Sequence, residues 1–196
     1  MYNINHYSNT KGGKEIKKGM SVENQSKPAK EVIVIDTETT GVTENDELLQ
    51  VAIINGEGKE LFVSYVRPTE TDRWDGAMKV NGITPLMVSN SPTIEELKDE
   101  IQRIVDSCDV IAGYNVGFDL GFLKRAGIST EGKEIVDVMK MAGSYYEPKW
   151  GKNRWYKLTD AAAKHGFYYN GRKAHDALTD CLATLHVWKK IKAEDV

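Results

Sequence analysis

Cysteine is nearly missing from this chain: two in 196 residues, Cys108 and Cys181. Two cysteines build neither a disulfide framework nor a zinc-ligand pattern. They read as reduced core thiols of a cytoplasmic protein. Long apolar runs are missing as well. Nothing approaches the ~20 consecutive apolar residues of a membrane-spanning helix, and the N-terminus carries no apolar segment of the secretory kind. No internal repeat is visible, which sets aside solenoid architectures. Positive charge is not in excess either. Lysine and arginine number 26 against 29 aspartates and glutamates, for a net charge of −3 and a pI near 5.9. That excludes a protein whose hold on nucleic acid comes from bulk positive charge. What is present is 40% hydrophobic and 28% charged residues, the balance of a chain with a packed core. Its length fits one domain with some residues to spare.

The spare residues are at the N-terminus. Residues 1–30 hold six lysines against two glutamates and show no apolar periodicity. The segment reads as a disordered or loosely attached polar tail of charge +4, leaving a body of −7 over residues 31–196. The body opens with the β-branched run Val32–Ile35, a strand buried on both faces. Leu48–Asn55 and Leu61–Arg67 read as two more strands joined by a Gly56-Glu57-Gly58 turn. Thr93 and Glu96 have capping-box spacing. Ile94, Leu97, Ile101, Ile104 and Val105 then recur at helical intervals to about Asp106. Val110–Tyr114 is a short strand, Phe118–Ala126 a helix closed by Gly127, and Ile135–Val138 a strand end. Leu158–His165 is a helix closed by Gly166. The last helix runs from near Asp176 to about Lys192, with Ala177, Cys181, Leu185 and Trp188 on one stripe. Strands followed by alternating helices and strands make an α/β domain with a mixed sheet.

Three short motifs carry chemistry. Asp36-Thr37-Glu38 closes the first strand, and residues two apart project to one face. Two carboxylates there repel each other and resist desolvation. A divalent cation relieves both, and hard oxygen donors suit Mg²⁺ or Mn²⁺. The competing reading is a solvated strand end entering the Thr39-Thr40-Gly41 turn. Asn115-Val116-Gly117-Phe118-Asp119 spans a strand–helix junction, where Asp119 can also serve the helix dipole. In His175-Asp176-Ala177-Leu178-Thr179-Asp180, five residues separate the imidazole from the carboxylate. On a regular helix the two would diverge by about 140°. They converge only if Asp176 is the N-cap and His175 stands before the first turn.

Taken together, DxE on a strand, NxxFD at a junction and HxAxxD on the last helix resemble the DEDDh, DnaQ-like 3′–5′ exonuclease family. Within it the likeness runs to the proofreading subunits of bacterial replicative polymerases. Asn81-Gly82-Ile83-Thr84, Ser91-Pro92-Thr93, Ile135-Val136-Asp137 and Tyr156-Lys157-Leu158 extend the resemblance from about Glu31 to Ile191. It implies a ribonuclease H-like fold, a five-stranded mixed sheet flanked by helices. It implies two divalent cations, Mg²⁺ or Mn²⁺, on Asp36, Glu38, Asp119 and Asp180, with His175 as general base. The implied reaction releases nucleoside 5′-monophosphates from a 3′ end of DNA, single-stranded or frayed. RNA is the alternative substrate, and a non-catalytic scaffold of the same fold the alternative of another class.

Asn81 and Tyr114 stand where many relatives have histidine. Thr39, Asn81, Asn115 and Phe118 are the substrate-side candidates, Phe118 equally a candidate for the core. Lys149, Trp150, Lys152 and Arg154 interleave charge with aromatics, as single-stranded nucleic acid binding requires. They also suit a loop in which Trp155 anchors to the core and the lysines are solvated. Asp137 is expected to be structural. A DNA polymerase is a conceivable partner, although the chain stops at Val196 without the C-terminal extension by which the bacterial proofreading subunit attaches. Oligomeric state is not legible.

Overall fold

The computed structural model describes residues 30–146 and 155–194. In chain order the elements are β1 (Val32–Thr39), β2 (Leu48–Asn55), β3 (Glu60–Tyr65), α1 (Asp75–Asn81), α2 (Pro85–Val88), α3 (Ile94–Asp106), β4 (Val110–Gly113), α4 (Val116–Arg125), β5 (Glu134–Asp137), α5 (Val138–Tyr146), α6 (Leu158–Lys164) and α7 (Ala177–Glu194). The five strands form one sheet in the order β3-β2-β1-β4-β5. β1 and β2, and β2 and β3, are antiparallel. β1 and β4, and β4 and β5, are parallel. The expected mixed sheet of ribonuclease H-like type is what the chain forms.

Alternation along the strands divides the core into two layers. Val34, Ala52, Ile54 and Ala112 pack against Ala142 of α5, Ala161 of α6 and Ala177, Cys181, Val187 and Trp188 of α7. Ile33, Ile35, Val51, Ile53 and Ile111 face the other way, onto Ile101 and Val105 of α3 and Phe122 and Leu123 of α4. Each valine, isoleucine, leucine or phenylalanine among them contributes roughly 1.5–3 kcal/mol by leaving water, so β1 and β2, buried on both faces, are the rigid centre. Cys108 and Cys181 are free and buried, as expected. Among the described residues no helix is long and apolar enough to cross a membrane.

The capping box of α3 forms as its spacing predicts, with the Glu96 carboxylate accepting from the Thr93 amide at 2.8 Å. Three helices escape the sequence reading. α1 buries none of its own side chains; the packing comes from Trp74 just before it, whose indole donates to the Ile83 carbonyl at 2.7 Å. α2 is only four residues long. α5 begins at Val138, which periodicity assigns to the preceding strand. Its signal was Asp137, whose Oδ1 accepts from the amides of Met139 and Lys140 and so acts as an N-cap.

One asymmetry of the sheet matters most. β1 is paired with β2 as far as Thr39. On its other side it meets β4 only from Val32 to Val34. Beyond that point the carboxyl half of β1 has no strand partner on that side among the described residues, at the end of the parallel strands where open α/β sheets bind ligands.

Candidate active site

The carboxyl half of β1 carries Asp36, Thr37 and Glu38. Asp36 and Glu38 share parity with Val34 and turn toward α7; Thr37 turns to the α4 side. There its amide and hydroxyl both donate to Asp119 Oδ1, at 2.9 and 2.7 Å. Asp119 is 3% exposed, and Thr37 supplies it with two donors from the neighbouring strand. Replacing Thr37 with valine keeps the shape and removes the hydroxyl donor. It should lower the unfolding free energy by about 0.5–1.5 kcal/mol, the usual net worth of one hydrogen bond, since the Thr37 amide still serves the same oxygen. Urea denaturation at neutral pH measures this, and an unchanged midpoint would show that the bond contributes nothing.

Asp119 is brought to β1 by a tight junction. β4 ends at Gly113, where a Cβ would lie 2.8 Å from Val116 Cγ2 and 3.0 Å from the Ile35 carbonyl oxygen. Only glycine permits that approach. Asn115 then takes a left-handed conformation, φ 64°, which asparagine tolerates better than most residues, and α4 starts at once. The Asn115 amide donates to Asp137 Oδ1 at 3.3 Å, so the capping residue of α5 also steadies this junction.

The third element arrives as the five-residue spacing required. α7 begins at Ala177, and Asp176 is its N-cap, its Oδ1 accepting from the Thr179 amide and hydroxyl at 3.0 and 2.9 Å. His175 stands just outside, in a left-handed conformation with φ 61°. That reversal lets its amide donate to Asp180 Oδ2 at 3.1 Å. Ligand atoms of Glu38, His175 and Asp180 lie within 4.8 Å of one another. The imidazole is on an exposed residue and the Asp180 carboxylate on a buried one.

Burial raises the affinity of all four carboxyls for protons. Burial first, then the charges of Asp119, Asp180 and Glu38, holds Asp36 well above its ordinary value. Glu38 is pushed up to about 8, by burial and then by Asp180. Asp119 rises to about 7 through burial, against the two bonds from Thr37. Asp180 rises to about 6 through burial, against the bond from the His175 amide. Among the described residues no lysine or arginine pairs with any of the four. Asp180 Oδ1 is buried with no hydrogen-bond partner among the described residues. An oxygen-rich group of unrelieved carboxyls with an orphaned ligand atom fits a hard divalent cation.

These residues line one cleft of about 1090 Å³. It includes Asp36, Glu38, Asp119, Asp180 and His175, and all four substrate-side candidates, Thr39, Asn81, Asn115 and Phe118. Asn81 is tied to β1 by a 3.2 Å bond from Nδ2 to the Thr39 carbonyl. Phe118 is half-buried: it packs on the core beside Phe122 and also lines the cleft. Lys149, Trp150, Lys152 and Arg154 lie outside the described residues.

Other side chains complete the walls of the cleft. Trp155, 77% exposed, lines the cleft rather than anchoring in the core. Tyr114 holds that wall, its hydroxyl donating to the Tyr156 carbonyl at 2.6 Å. Gly41 and Val42 sit at the mouth, where a Cβ on Gly41 would collide with the Asp46 carboxylate at 2.5 Å. Gln50, the buried polar residue of an otherwise apolar stretch of strand, was the most visible signal passed over.

The model of a family described as Exonuclease, RNase_T, matches residues 33–188. The exonuclease CP81 of Escherichia phage 186 is 30% identical over 167 residues, covering 79% of this chain and 84% of the phage protein. The DNA polymerase III subunit epsilon of Aquifex aeolicus is 31% identical over 170 residues, covering 83% of this chain and 80% of that one. Among solved structures, the zinc-bound E. coli exonuclease I complex with single-stranded DNA superposes with a TM-score of 0.71 at 23% identity. It is covered to 41% of its length by 84% of this chain, and the likeness is one of fold.

Proposed function

The chain belongs to the DEDDh, DnaQ-like exonuclease family and is a 3′–5′ exonuclease, and from that premise we propose that it trims the 3′ end of single-stranded or frayed DNA, releasing nucleoside 5′-monophosphates. The observation that carries the proposal is the convergence in one cleft of four carboxyls and a histidine from β1, α4 and α7. Asp36, Glu38, Asp119 and Asp180 would hold two divalent cations, Mg²⁺ or Mn²⁺. When bound, such cations supply Lewis acidity to a water nucleophile and to the departing 3′-oxygen.

The rest of the chemistry belongs to the chain's own side chains. His175, exposed at the cleft and held by its amide to Asp180, takes the proton of the attacking water as general base. Asp119, fixed by Thr37, keeps α4 and β1 at constant separation as charge develops. Asn115 and Thr39 line the cleft where the terminal nucleotide would lie, and Asn81, its carboxamide bonded to the Thr39 carbonyl and the Ile83 amide, shapes the wall beside them. Phe118 and Trp155 offer ring faces to bases, which suits an unpaired end better than an intact duplex. The acidity of the body is no obstacle, since cations bound at this one point reverse the local field felt by a phosphate.

DNA is favoured over RNA by the relationship to a DNA polymerase subunit. Matched DNA and RNA oligomers digested side by side test the choice. The DNA strand should shorten at least about tenfold faster, a discrimination of roughly 1.4 kcal/mol in transition-state binding. Faster loss of the RNA strand would move the assignment to ribonucleic acid.

A further inference from the structure

From Leu48 to Ile54 every residue of β2 is apolar except Gln50, and Gln50 is 4% exposed. A carboxamide in such a place is unfavourable unless both its ends are bonded. Here they are. Gln50 Nε2 donates to Asp176 Oδ2 at 3.2 Å, and Gln50 Oε1 accepts from the Ala177 amide at 3.1 Å. Ala177 is fully buried and opens α7, so its amide is one of those a helix leaves unpaired at its start. Asp176 spends its other oxygen on Thr179. One carboxamide thus joins the helix that carries Asp180 to the strand beside Asp36 and Glu38. In the β1–β2 register Gln50 stands opposite Glu38 itself.

The residue so bracketed is His175. Its left-handed backbone is unfavourable for a side chain of that kind and persists only where the surroundings over-determine it. The determinants are the Asp180 carboxylate, which takes its amide, and the clamp of Gln50 on the two residues that follow. We infer that Gln50 is a positioning residue: by pinning Asp176 and Ala177 to the sheet it sets where the His175 imidazole stands over Glu38 and Asp180, without touching substrate. This rests on His175 being the general base proposed above.

The test uses the full chain as wild type, Q50L, Q50E, D176N and the double variant Q50E/D176N. Q50L keeps approximately the volume and removes both bonds. With Mn²⁺ and a single-stranded DNA oligomer, kcat should fall about 10–100-fold, the usual loss for a catalytic group displaced by a fraction of an ångström to an ångström. KM should stay within about twofold. Hydrogen exchange at the Ala177 amide should quicken about tenfold or more as it loses its acceptor. Q50E keeps the acceptor for Ala177 but sets a second carboxylate against Asp176, and should be as slow as Q50L. Adding D176N returns a donor to the pair, and the double variant should regain most of the rate, a coupling that a double-mutant cycle isolates. A wild-type kcat in Q50L would overturn the inference. So would a loss proportional to the fraction of unfolded protein, or a double variant no faster than Q50E. Should the wild type cleave neither DNA nor RNA, the functional reading fails by itself. The ring resonances of His175 still decide the positioning role, which unchanged shifts in Q50L would refute.

Discussion

Asp36→Asn is expected to reduce metal-dependent release of mononucleotides by on the order of 10³-fold or more, about 4 kcal/mol of transition-state stabilisation. Asp36 is on the central strand, and the charges that raise its proton affinity are, in order, those of Asp119, Asp180 and Glu38. It is the carboxyl common to the elements that build the site. Asparagine fills the same volume and leaves the fold alone, but it carries no charge with which to hold a cation. Asp180→Asn should behave alike, since it withdraws the carboxyl that shares a locus with Glu38 and His175. The same substitutions should stabilise the metal-free protein. Each removes one of a set of crowded, partly desolvated carboxyls, and relief of about 1–2 kcal/mol would raise Tm by roughly 2–8 °C in a domain of this size. An inactive variant that melts higher than wild type in chelator is the expected signature. Undiminished activity in the purified Asp36→Asn and Asp180→Asn proteins would remove these residues from the mechanism.

The second large effect is a dependence of metal-free stability on pH that runs opposite to ordinary acid denaturation. Glu38 is raised to about 8, Asp119 to about 7 and Asp180 to about 6, with Asp36 also raised. A group whose affinity for protons is higher in the folded state keeps a proton that the unfolded chain has released. The folded state therefore binds more protons between about pH 4.5 and 8, and stability falls as pH rises through that window. Asp46, Glu47 and Glu96 are held below their ordinary values and act in the other direction. Their contribution is complete above about pH 4.5, so it does not mask the trend. In chelator, Tm should drop by roughly 5 °C or more between about pH 5 and pH 8.5, an amount corresponding to ~2 kcal/mol. Saturating Mn²⁺ should erase the drop, because cation binding to the ionised carboxylates adds about 2.7 kcal/mol at a concentration a hundred times Kd. Calorimetry across pH with and without the cation measures both. A metal-free Tm that is flat or rises over this range would mean that the four carboxyls are not desolvated together.

Much of the site could be read from the chain because its chemistry is local. Asp36 and Glu38 share a face by strand parity. Asp176 announces an N-cap, and the gap from His175 to Asp180 demands a reversal before the helix, which the positive φ of His175 supplies. The long apolar strands β1 and β2 and the capped helix α3 were legible for the same reason, since periodicity and capping act within a few residues. α1, α2 and α5 were not. They are short, and what holds them is Trp74 reaching Ile83, Thr84 capping four residues, and Asp137 serving two junctions at once.

By itself, then, the sequence determined the side-chain inventory of the site, the class of chemistry and the sheet that bears it. Residue type and spacing suffice for those. Only the tertiary structure decided which groups meet. Thr37 binds Asp119 because β4 abandons β1 after Val34, and Gln50 reaches Asp176 because α7 lies across β2. Tyr114 steadies a cleft wall 42 positions further along the chain. The elevated proton affinity of the four carboxyls belongs to the same category. It arises from burial and mutual distance, quantities that exist only once strands and helices from distant parts of the chain are packed into one cleft.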